Sequence, residues 1–162
     1  MQTDVYNINN VSGILHLDII KNGEVIATEE HNLIVNTSCR ILSQLLGGVG
    51  VYTNKAVNKV KFGSGNLPVG IAKTNLDGTT YLKSIDSVTY DGSGAPDDII
   101  FNFTLADSEF NGHDVWQFGL FNTDGVMFSM LSRNPSKSYP IEKDVDVTIS
   151  GWWKIQFRNI AA

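Results

Sequence analysis

The sequence predicts a mainly β chain, an antiparallel β-sandwich of jelly-roll-like kind with one short α-helix. Three observations carry this. Runs of roughly alternating apolar and polar residues, rich in Val, Ile, Thr and aromatics, recur along the chain. Turn dipeptides separate them at short intervals, among them Asn22-Gly23, Asn111-Gly112 and Asp124-Gly125. A single stretch has helical spacing, which leaves too few helices for the crossovers of parallel βαβ units.

Residues 13–20 (GILHLDII) and 24–35 (EVIATEEHNLIV) read as two strands closed by Asn22-Gly23, a strong two-residue hairpin turn. The helix falls at about 37–46, where Asn36 or Thr37 can cap it. Ile41, Leu42, Leu45 and Leu46 share one stripe with Cys39 at its edge, so Cys39 is expected to be a small buried helix residue. Gly47-Gly48 ends the helix. Residues 47–56 read as a loop, 57–62 (VNKVKF) as a strand, and 63–78 as a long irregular connection of a length that is usually functional or mobile. Strands follow at 80–90, 98–105, 114–122, 126–132 and 144–157, with turns or polar loops at 91–96, 106–113 and 134–140. About eight strands are therefore expected. Residues 13–162 form one domain, preceded by a polar arm, 1–12, that orders only on a partner.

Composition narrows the function. Hydrophobic residues make up 42% of the 162 and charged residues 18%, enough for a core and few charges for a free surface, a hint of assembly. The formal charge of −5 and the lack of any basic run argue against phosphate-backbone binding, so no nucleic-acid partner is expected. No apolar run approaches the ~18 residues of a membrane span, so no membrane insertion is expected. The opening MQTDVYNINN lacks the basic and apolar regions of a signal peptide, and one cysteine forms no internal disulfide. A cytoplasmic site of assembly fits both.

Chemistry is sparse. His16, His31 and His113 have no metal-type spacing, and Asp97-Asp98 and Asp144 with Asp146 read as solvated loops or strand starts rather than a calcium site. There is no G-x-S-x-G, and Gly63-Ser64-Gly65 lacks both the strand-turn-helix context of a nucleophile elbow and the lysine of a P-loop; close-packed loop glycines explain it better. Glu109 and Asp114 could pair across a turn, but nothing singles them out. No enzyme, cofactor or metal is expected. Aromatic residues concentrate in the C-terminal third, and Trp116, Phe118, Phe121, Met127, Trp152 and Trp153 are the interface candidates. Adjacent Trp152 and Trp153 must face opposite sides of a strand. Gly119 sits mid-strand, where it calls for a backbone or ring close by. Val126, Phe128 and Met130 are expected on one face and Met127, Ser129 and Leu131 on the other, both covered, the second by another subunit; Asp124-Gly125 is expected to form a type I′ turn.

Five segments in order resemble a group of bacteriophage tail proteins. They are HNLIVNTSCRILSQLLGG (31–48), KFGSG (61–65), IFNFTLADSEFNG (100–112), VWQFGLFNTDGVMFS (115–129) and KDVDVTISGWWKIQF (143–157). The third segment is similar to a strand followed by a polar turn, and the fourth to a hairpin in which an acidic residue usually precedes GLF; here Gln117 and Phe118 stand there, while Arg133 occupies the place of an Arg often found after that hairpin. The resemblance implies a jelly-roll-like sandwich joining subunits or fibres in a virion tail or baseplate. It implies a non-enzymatic structural role with other virion proteins as partners and a trimer or hexamer as first expectation. A carbohydrate-binding module contacting a host-surface glycan and a capsid decoration protein are the alternatives.

Overall fold

The computed structural model describes residues 11–48, 50–91, 98–135 and 137–157. Most of the expected arm, residues 1–10, and most of the expected turn at 91–96 lie outside the described residues; Val11 and Ser12 already belong to the first strand.

The hairpin of β1 (Val11–Lys21) and β2 (Glu24–Ile34) forms as expected, with Asn22 at φ 51° and Gly23 at φ 80°, the geometry of a type I′ turn. There follow α1 (Ser38–Leu46), a one-turn α2 (Tyr52–Lys55) inside the expected loop, β3 (Val57–Gly63), β4 (Thr80–Ser84), β5 (Ser87–Asp91) and β6 (Asp98–Leu105). The chain ends in β7 (His113–Val115), β8 (Gln117–Asn122), β9 (Met127–Ser132), β10 (Ile141–Lys143) and β11 (Val147–Phe157). The expected strand 80–90 divides because the chain changes layer there. The Ile85 N–H donates to Asn58 O of β3 at 3.0 Å, and the next one, of Asp86, donates to Asn102 O of β6 at 2.8 Å.

The result is mainly β: one curled antiparallel sheet, folded over itself as a sandwich, in the order β4-β3-β8-β9-β2-β1-β11-β6-β5. A two-stranded ribbon, β10-β7, lies outside it. β2 belongs to both halves. It pairs with β1 from Glu24 to Asn32, and with β9 only at Leu33 and Ile34. Between the halves sits one core: Leu15, Leu17, Phe103, Ile149 and Trp153 from one side, and Phe62, Phe118, Leu120 and Leu131 from the other, all buried. Phe62 meets Phe103 edge-on at 5.8 Å across the layers and Phe118 at 5.6 Å within its own.

Both faces of β9 are covered, as expected, but the second cover comes from this chain. Val35 and Leu76 close over Phe121, Met127 and Met130 in a small separate cluster. The face assignment also changes. Leu120 pairs Ser129 and Phe121 pairs Met127, so Phe128 is an extra residue in the ladder. That bulge puts Phe128 with Leu131 in the main core and Met127 with Met130 in the small one. The Asp124-Gly125 turn is not type I′: Gly125 has φ 78°, but Asp124 is not among the positive-φ residues, and Asn122 holds the turn by accepting from Val126 N–H at Oδ1, 2.9 Å.

Two helix expectations are corrected. Cys39 is exposed, and Leu46 is almost bare at 91%. At 3.6 residues per turn both lie about a quarter turn from the stripe of Ser38, Ile41 and Leu45, and a nine-residue helix buries one narrow stripe. Thr37 takes the N-cap position without a side-chain cap bond, because its hydroxyl donates to the Met127 carbonyl instead.

The long connection 64–79 is pinned. Gln117, wholly buried, donates from Nε2 to Leu67 O at 2.8 Å and to Asp77 Oδ2 at 2.9 Å, and accepts from Asp77 N–H at 2.7 Å. A Cβ on Gly65 would fall 2.4 Å from that of Asp77, so the loop glycines are close-packed as expected. Gly119 has the ring neighbour its position calls for: a Cβ there would meet Phe121 Cε2 at 2.6 Å and Leu76 Cδ2 at 3.2 Å. Gly119→Ala is therefore expected to destabilise the chain by about 1–3 kcal/mol in urea denaturation. An unchanged midpoint would contradict this packing.

Candidate functional site

Several charged groups are held by dense hydrogen bonding within the chain. Lys143, 2% exposed, donates all three of its hydrogens, to Asp107 O, Asn111 Oδ1 and Asp144 O at 2.7–3.2 Å. Burial lowers its pKa. Glu109 does not pair with Asp114. It accepts from Lys83 Nζ at 2.7 Å, Tyr81 Oη at 3.1 Å and Ala106 N–H at 2.8 Å. Burial pushes the Glu109 carboxyl up, but these hydrogen bonds and the Lys83 charge outweigh it and hold it below its ordinary value. Lys83 also donates to Thr104 O. One lysine on the edge strand β4 thus ties together β6 and the turn after it.

The histidines come from three strands, His16 from β1, His31 from β2 and His113 from β7. His16 stacks on Trp152, centroids 5.0 Å apart and planes 5° apart, and lies 3.1 Å from Asp18 and 3.3 Å from Glu29. His113 stacks on Phe110 at 4.5 Å. Asp98 is buried and accepts from Gln156 at 3.1 Å. Among the described residues no three His, Cys, Asp or Glu side chains gather as a metal-binding group.

Of the six interface candidates, Phe118, Phe121, Met127 and Trp153 are buried within the chain's own two clusters. Trp116 and Trp152 are half-buried and keep surface that a partner could meet. Trp152 stacks on His16, and among the described residues no two tryptophan rings contact each other.

The exposed apolar surface lies elsewhere. Where the edge strand β5 and the start of β3 face α1, an apolar groove of about 360 Å³ opens, lined among others by Leu42, Leu45, Val57, Val88, Tyr90 and Phe157. Its rim is bare for its chemistry: Tyr90 is 63% exposed, and Val88 and Phe157 are exposed. Leu46, one residue beyond Leu45 at the end of α1, is exposed as well. Sequence reasoning missed this site because its residues come from six elements, each apolar side chain looking like ordinary core in its own segment. A second exposed aliphatic group, Leu67, Val69 and Ile71, sits on the pinned loop.

Comparison with protein-family models, curated proteins and solved structures found no match. No helix among the described residues is long and apolar enough to cross a membrane.

The Glu109 cluster has a pH signature. The folded value of Glu109 lies below its unfolded value, so its pairing adds stability above the unfolded value. That stability is lost as pH falls through the folded one. The stability difference between the wild type and Glu109→Gln should therefore widen as pH rises through the acid range and close at its bottom. Parallel curves from acid to neutral pH would contradict the assignment.

Proposed function

We propose that the chain is a non-enzymatic structural component of a phage virion, a tail, baseplate or fibre-attachment protein that acts by protein–protein assembly. The observation that carries assembly is the apolar groove at the open end of the sandwich, with Tyr90, Val88 and Phe157 exposed around it. Contiguous exposed apolar surface on a folded domain marks a surface that another molecule covers. The ordered resemblance of five segments between residues 31 and 157 to phage tail proteins supports the virion setting. The polar side chains fit the same reading: Lys143, Glu109 and Gln117 spend hydrogen-bonding capacity on backbone and neighbours, as positioning groups do.

Light scattering after size exclusion tests the proposal. Three or six times the chain's own mass is expected, and the double variant Leu46→Glu with Tyr90→Lys should fall to monomer while keeping its fold. A monomer at every concentration would contradict self-assembly through this surface.

A further inference from the structure

Among the described residues, β2 has a neighbouring strand on one side only over most of its length. Its ladder with β9 sets Leu33 opposite Met130 and Ile34 opposite Ser129. Continued three residues further, that register brings Glu30 opposite Arg133, but the ladder has stopped by then. A buried ion pair stands at the stop, with Arg133 Nη1 2.9 Å from Glu30 Oε1. Beyond it β9 has ended at Ser132, and among the described residues no strand lies beside the outer edge of β2 from Glu24 to Asn32. In an antiparallel pair alternate residues point their N–H and C=O away from the partner. Beside this stretch a groove of about 400 Å³ runs over the sheet face, lined by Ile19, Ile26, Thr28 and Val147 and by Tyr139 and Ile141, with Lys137 and Glu142 as opposite charges at its wall.

Soluble proteins blunt such edges with lysine, proline or a bulge. The run Val25-Ile26-Ala27-Thr28 carries none of these, and Val25 and Ile26 are 58% and 63% exposed. We propose that this edge is an acceptor site, where an extended aliphatic strand of a different protein, bearing Lys or Arg at its flanks, adds to β2. Charge selects the occupant. The run is bracketed by Glu24 and Glu29. Two copies pairing edge to edge about Ala27 bring the exposed carboxylates of Glu24 and Glu29 from both chains onto one short ladder, and like charges gathered there destabilise it. A strand with basic residues about five positions apart meets both flanking carboxylates. The inference deepens the assembly reading and rests on it for the partner being a protein.

The test uses the full chain labelled with ¹⁵N and two synthetic ten-residue peptides. Both alternate Thr and Val; one carries Lys five positions apart, the other Glu at the same places. The Lys peptide should shift amides of residues 24–31 and bind about tenfold more tightly than the Glu peptide. Glu24→Lys with Glu29→Lys, both at exposed positions, should invert that preference while leaving the dispersed spectrum of a folded chain. Shifts centred on the α1 groove, equal binding of both peptides, or no shift at about 1 mM peptide would overturn the proposal. Scattering on the same sample separates the two readings. An oligomer with no response at 24–31 removes the acceptor edge alone; a monomer that responds there removes self-assembly alone.

Discussion

The structure depends on one strand serving two neighbours unequally. β2 is paired with β1 over nine residues and with β9 over two. Because the shared segment is so short, the two halves of the sheet can rotate away from each other and close over a common core, as two fully paired neighbours could not. The cost is a row of backbone groups left without a strand partner, and the point where pairing stops is held by Glu30 and Arg133. A buried ion pair of this kind is worth little as net stability, but removing either partner strands a charge. Its role here is to fix where the ladder ends.

Other buried and half-buried polar side chains act in the same manner, at the places where the sandwich would otherwise open. Lys83 ties β4 to Thr104 and Glu109 on the other side of the curl. Gln117 ties the connection 64–79 to β8, and that connection carries Leu76 over the outer cluster. With the outer face of β8 and β9 closed by the chain itself, exposed apolar residues lie beside α1, on the loop carrying Leu67, Val69 and Ile71, and along β2.

Much of this fold was legible in the sequence because the signals are local. The Asn22-Gly23 turn, the helix after Thr37 and the alternating run from Ile99 each follow from neighbours a few residues apart. What stayed hidden depends on distant partners. The bulge at Phe128 reverses the expected face of half a strand, and nothing near residue 128 announces it. Glu30 and Arg133 are 103 residues apart, and Gln117 and Asp77 are 40 apart. Cys39 and Leu46 were placed on the buried stripe because periodicity marks its centre better than its width. The aromatic residues of the last third were visible as important, but their count could not separate core from surface; four of the six candidates fill the core, and only Trp116 and Trp152 retain exposure.

Amide hydrogen exchange in β2 of the free chain tests the central claim most directly. If β2 leaves the sandwich at Glu30, alternate amides between Glu24 and Asn32 should exchange orders of magnitude faster than those bonded to β1, while Leu33 and Ile34 and the amides of β1 and β11 stay protected. Uniform protection from Glu24 to Ile34 would mean that the outer edge is already paired, and the account of an open β2 would be wrong.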